Sequence, residues 1–240
     1  DIASDLLTSG HIVTDRDSDG RPLRIDYLDG TFEEMAYSCC GLAMMRDRRG
    51  MVTTYTYDAL GRRETETRAG ITITTLHDAS GRVIETLRTG TDESTVVLQE
   101  SEYDLAGHLT SQTDAAGHTT TFSESVESNG QRIRTTVYPY GTRVEVYHRD
   151  GQLKSVSGTA ARPVRYEYTI ENDGSSTTRE ILIGENDAET EWVLTVYDFA
   201  GRLVRMEYPD EAETLVTYNA LGQRERETDP DGVTRLWNGW

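Results

Sequence analysis

One short stretch limits what this chain can fold into more than any other: Tyr57-Asp58-Ala59-Leu60-Gly61-Arg62. It is a turn signal, and it recurs. Copies with an aromatic or His four residues before the glycine run Tyr37 to Gly41, His77 to Gly81, Tyr103 to Gly107, Tyr197 to Gly201 and Tyr218 to Gly222. Looser copies end at Gly20, Gly130, Gly151 and Gly174, so that successive turn glycines lie 20 to 27 residues apart. A period this regular marks a repeat architecture. Asp at the first position of a type I turn accepts a hydrogen bond from the backbone two residues on. Gly at the fourth takes the left-handed conformation of a three-residue hairpin loop with a bulge.

A second turn falls about half a period later, at Asp47 to Gly50, Asp114 to Gly117 and Asp229 to Gly232, with weaker forms at Gly30, Gly70 and Gly141. Turn signals at intervals of roughly 8–12 residues mean consecutive antiparallel strands. Thr, Val, Ile and Tyr between them are strand chemistry. In Val52-Thr53-Thr54-Tyr55-Thr56-Tyr57, alternation predicts Val52 and residues like Ile71 on one face, with Thr or Glu on the other.

Aromatic-Asp-x-x-Gly-Arg-Leu, followed about ten residues on by Gly and then an aromatic, resembles the YD repeat of RHS-type proteins. That family includes bacterial polymorphic toxins, a component of insecticidal toxin complexes and the animal teneurins. The resemblance covers residues 10–240. It is closest at 51–122 and 193–240 and degenerate at 123–192. It implies a sheet spiralling into a hollow shell, in a secreted or cell-surface bacterial protein.

The chain reads as one repeat region, 1–240: regular repeats at 1–122, degenerate repeats with loop insertions at 123–192, regular repeats again at 193–240. Ser123 to Gly130, Gly158 to Pro163 and Gly184 to Glu189 read as longer polar loops. About ten repeats of two strands imply on the order of twenty strands. At ~4.8 Å per strand a flat ribbon would be ~95 Å wide. Open twisted sheets seldom exceed ~10 strands without curling or splitting, and their twist has a fixed hand. The expected fold is therefore all-β: tandem β-hairpin repeats forming one long curled or spiralling antiparallel sheet, an open-ended partial shell with its more apolar face inward. The open edges invite edge-to-edge self-association.

Composition agrees. Of 240 residues, 35% are hydrophobic and 13 Tyr outnumber 3 Phe, which suits a sheet buried on one face better than a thick core. The net charge of −18 argues against nucleic acid and anionic membrane surfaces. No run approaches the ~18 apolar residues of a membrane span, so no membrane insertion is expected. The sequence starts in mid-pattern, and Trp237-Asn238 stands where another copy would begin, as in a segment of a longer protein whose targeting signal lies elsewhere.

Sites of chemistry are few. Asp15, Asp17, Asp19 and Asp26 have the oxygen spacing of a calcium loop, set against the plain reading of an acidic repeat turn without flanking helices. His11, His77, His108, His118 and His148 read as variants of repeat positions with no triad or metal spacing. Adjacent Cys39 and Cys40 read as small residues filling a degenerate turn, with a vicinal disulfide as the alternative. Asp229-Pro230-Asp231-Gly232 is similar to an element that in Rhs toxins is associated with self-cleavage. Val233 replaces its Leu, and the segment reads as a turn. The aromatics pack beside turns or, alternatively, stack on sugars.

No catalytic residue, cofactor or metal is assigned. The expected function is a non-catalytic segment of a shell or scaffold that encloses or presents a toxin or effector. Its partner is then the remainder of its own polypeptide. The alternative is an adhesion module with a glycan or protein ligand.

Overall fold

In the computed structural model, residues 10–237 are described; residues 1–9 of the first, incomplete copy and Asn238 to Trp240 of the last lie outside them. The chain forms two compact units, Asp1–Thr119 and Thr120–Trp240.

The first unit contains ten strands: β1 (His11–Arg16), β2 (Pro22–Tyr27), β3 (Phe32–Tyr37), β4 (Leu42–Arg46), β5 (Val52–Tyr57), β6 (Arg63–Arg68), β7 (Ile71–His77), β8 (Val83–Thr89), β9 (Thr95–Tyr103) and β10 (Leu109–Asp114). Each pairs antiparallel with the next. The register slips by one residue beside the repeat turns, as at Tyr57↔Arg63 and His77↔Val83. That slip is the bulge of the three-residue loop. Gly61 shows why the loop needs glycine: its φ is +77°, and its N–H donates to the Asp58 carbonyl at 3.0 Å.

The second unit takes in β11 (Thr119–Val126) from its second residue on, then β12 (Arg132–Tyr138), β13 (Gly141–Tyr147), β14 (Leu153–Ser157), β15 (Val164–Ile170), β16 (Ser176–Ile183), β17 (Glu189–Tyr197), β18 (Leu203–Glu207), β19 (Glu213–Tyr218), β20 (Arg224–Thr228) and β21 (Thr234–Leu236). It is again a sequential antiparallel meander. The one helical element among the described residues is a 3-10 turn, Glu185–Asp187. Within the first unit β1 pairs with β2 and β10 with β9, so this unit is an open ladder. Ten strands is about what an open twisted sheet holds.

The sheets are single layers. Among the described residues the buried apolar side chains are Val156, Ile181 and Val216. Buried polar side chains are Thr53, Ser101, Thr136 and Thr214.

Two expectations fail locally. Val52 is 44% exposed, whereas Thr53 is 4% exposed. Thr53, Tyr55 and Tyr57 share the face of the repeat tyrosine, and register puts Met45 and Met35 beside Thr53 on that face. Threonines form hydroxyl pairs on the other face, Thr56 with Thr65 at 2.6 Å and Thr67 with Thr72 at 2.8 Å. Parity, set by the tyrosine, outranks the hydropathy of one valine. Nor is Ser123 to Gly130 a long loop. Ser123 to Val126 continue β11, paired residue for residue with β12, and only a tight turn remains at 127–131. Glu124 meets Arg132 and Arg134 at 3.7 and 3.4 Å, so a polar segment is satisfied as strand.

Candidate functional site

The feature with the most specific chemistry is the row of repeat turns. Asp58 organises one of them. Its N–H donates to the Arg62 carbonyl at 2.9 Å. Its Oδ1 accepts the N–H groups of Leu60 and Arg62, both at 2.9 Å, and its Oδ2 takes Nε of Arg62 at 2.6 Å. The same set recurs with Asp17 and Arg21, Asp78 and Arg82, and Asp198 and Arg202. Hydrogen bonds hold these carboxyls below the usual range. The Arg62 backbone N–H contributes most at Asp58, against partial burial, and the Arg202 guanidinium contributes most at Asp198.

Each lock also reaches the next repeat. Nη1 of Arg62 donates to the Asp78 carbonyl at 2.8 Å, and Nη1 of Arg82 to the Asp104 carbonyl at 3.4 Å. The guanidiniums of Arg21, Arg82 and Arg202 lie 4.4, 4.7 and 4.7 Å from the ring centroids of Tyr37, Tyr103 and Tyr218. The tyrosines reach back. The hydroxyls of Tyr57, Tyr103, Tyr168 and Tyr218 donate to the carbonyls of Leu42, Val83, Leu153 and Leu203 at 2.8 to 3.1 Å. Each accepting residue stands one or two positions past the preceding turn glycine. Asp thus shapes the turn, Arg holds Asp and covers the next ring, and Tyr ties that ring to the strand behind it.

His108 and His118 take the arginine place in their turns, with Nδ1 3.1 and 3.3 Å from Asp104 and Asp114 Oδ2. His148 packs edge-on against Tyr168, and His11 lies tilted against Tyr27. Asp229 to Gly232 is a turn of the same kind, with the Gly232 N–H on the Asp229 carbonyl at 2.9 Å.

The four candidate calcium carboxylates are not gathered. Asp17 is held by Arg21 and by the Asp19 and Arg21 N–H groups. Asp26 accepts from Thr14 and Arg24. Among the described residues no group of three or more His, Cys, Asp or Glu is placed to hold a metal ion. No described helix is long and apolar enough to cross a membrane.

Two turns escape a reading based on glycine. At Gly90 to Ser94 and Tyr208 to Ala212 the left-handed place is taken by Glu93, φ +64°, and Glu211, φ +65°. The backbone bonds are those of the other turns. Their signal is the Asp one residue earlier. Asp92 and Asp210 accept the Ser94 and Ala212 N–H groups at 3.1 and 3.2 Å, and Pro209 precedes the second.

The model of the teneurin YD-shell family matches residues 42–237. No curated protein matches the sequence. Among solved structures, TcdB2-TccC3 without its hypervariable C-terminal region aligns with a TM-score of 0.57 at 16% identity, over 90% of this chain and 13% of that one. TcdB2-TccC3-Cdc42 aligns with a TM-score of 0.55 at 14% identity, over 87% of this chain and 15% of that one. The chain therefore spans a small part of those chains, and the likeness is one of fold. Strand order, turn chemistry and a family match over most of the sequence agree: the chain belongs to the teneurin YD-shell family.

Proposed function

We propose that this chain is a length of shell wall, without catalytic activity of its own, in a secreted or cell-surface protein. The wall encloses another segment of the same polypeptide, a toxin or effector domain. The aromatic and aliphatic face, with Met35, Met45, Tyr55 and Ile73 in register, lines the inside.

The observation that carries this reading is the interlocking of successive turns. A wall without a solid core gets its cohesion from the strand ladder and from contacts that tie each repeat to the next. The Arg–Tyr and Tyr–carbonyl contacts are of that kind. The fold likeness to TcdB2-TccC3 supports it. Several rings that a sugar-binding face would need are covered by guanidinium groups, among them Tyr27, Tyr55 and Tyr147. That supports a structural role over adhesion.

Limited proteolysis of the full-length polypeptide tests enclosure. The segment outside the shell repeats should survive protease while the shell is folded and be cut once denaturant opens it. Cleavage of that segment at the same rate in both states would refute enclosure.

A further inference from the structure

The turn at Tyr37 to Leu42 departs from every lock described above. Its N–H to carbonyl bond runs from Ser38 to Gly41 at 2.8 Å, and Gly41 has φ +153° where the other repeat-turn glycines lie near +75° to +91°. No Asp stands at its first position and no Arg after its glycine. In their place are two exposed cysteines at the tip, with Sγ atoms 2.8 Å apart.

Cys40 also stands where arginine stands elsewhere. The Arg62, Arg82 and Arg202 guanidiniums lie against the glycine of the following turn, Gly81, Gly107 and Gly222. At Gly61 the neighbouring atoms are Cβ and Sγ of Cys40. Cys40 thus takes the place that a guanidinium has in those turns, beside the Tyr57 hydroxyl bond to the Leu42 carbonyl.

We propose that Cys39 and Cys40 are a redox modification site: a vicinal dithiol that closes to a disulfide within the turn by exchange with a small-molecule disulfide. A thiolate attacks the incoming disulfide and displaces one thiol. The second cysteine sulfur then attacks the mixed disulfide and displaces the other thiol. The Cys39–Cys40 S–S bond forms, the reagent's S–S bond breaks, and its two sulfurs carry off two electrons and the two thiol protons. The closing distance is short, since the sulfurs must approach from 2.8 Å to a bond of about 2.05 Å. Exposure gives the reagent access. The hydrogen bond with Cys39 pushes the Cys40 thiol up.

The test is intact-mass spectrometry and iodoacetamide mapping of the full chain after oxidised glutathione, beside a sample reduced with dithiothreitol. The oxidised chain should weigh less by two hydrogens, lose both alkylation sites and stay monomeric on a non-reducing gel. Cys39→Ser and Cys40→Ser should each instead carry one glutathione. With circular dichroism unchanged in both variants, the outcome reports on the thiols alone. Two glutathione adducts on the wild-type chain, a disulfide-linked dimer, or two thiols still open to iodoacetamide after oxidation would overturn the proposal.

Discussion

The turns at 58–62 and 78–82 and those at 127–131 and 148–152 have one backbone and different side chains. In both sets the N–H of the first residue bonds to the fifth carbonyl, and the glycine N–H to the first carbonyl, at 2.8 to 3.1 Å. In the first set Asp and Arg add a carboxylate, a guanidinium and the reach to the next repeat. In the second, Glu127 and His148 open the turn and Gln131 and Gln152 close it. What remains is the closing N–H, which donates to Oδ1 of Asn129 or Asp150 at 2.8 and 3.0 Å, and in the first of these turns a bond from Asn129 Nδ2 to Glu127 Oε2 at 3.2 Å. The reversal is thus set by the left-handed glycine and the hairpin, and the Asp–Arg pair sets how firmly one repeat holds the next. The degenerate region compensates on its faces, where Arg165 and Arg179 meet Glu167 and Glu189.

If the backbone, and not an Asp–Arg pair, sets the turns of the degenerate region, its largest single loss is a backbone clash. Gly158 has φ +114°, and a Cβ there would run into the Thr142 carbonyl. Gly158→Ala should cost about 3 kcal/mol or more in urea unfolding. A change within error would mean the loop relaxes freely.

Removing the acceptor tests the other side. Asp58→Ala leaves two turn N–H groups and a guanidinium without their carboxylate. Its melting temperature should fall on the order of 5 °C, while Glu127→Ala should barely move. Equal shifts would erase the distinction.

The tyrosine tie is common to both regions, through Tyr57 and Tyr168. Tyr57→Phe and Tyr168→Phe should each lose about 1 kcal/mol, measured by the same unfolding. A loss confined to one of them would show that the tie is not a general device.

Acid separates the regions by charge. Asp58, Asp78 and Asp198 have folded values below the ordinary one. Their contribution is complete above the unfolded value near 3.9 and is lost as pH falls through the lower folded values. Hydrogen exchange at falling pH, corrected for intrinsic rates, should show the turns at 58–62, 78–82 and 198–202 opening while 127–131 keeps its neutral-pH protection. Uniform loss would contradict this. The smallest effect is His108→Arg, which completes the lock on Asp104 and should raise the melting temperature slightly; a decrease would count against the arginine role.

Much of this was legible in the sequence because a left-handed residue at the fourth turn position is usually glycine, and glycine is visible. Glu93 and Glu211 were not, since only the neighbouring Asp marks them. The polarity of Ser123 to Val126 and the hydropathy of Val52 misled for a shared reason. In a single layer neither face is dry, so composition weakly marks which side is covered and which segment is strand. The carboxylate's place in the turn followed from Asp chemistry. The Tyr57 bond to Leu42, fifteen residues back, depends on strand register and could not be read from any one repeat.

The turn at 58–62 is the unit that the fold repeats, and residue-resolved amide exchange reads it directly. The N–H groups of Asp58, Leu60, Gly61 and Arg62 are all bonded, and that of Ala59 takes no part in the lock. Four slow amides around one fast one at Ala59, repeated at 78–82 with Ala79 fast, is the expected pattern. Fast exchange at Gly61 and Gly81 in the folded protein would contradict it.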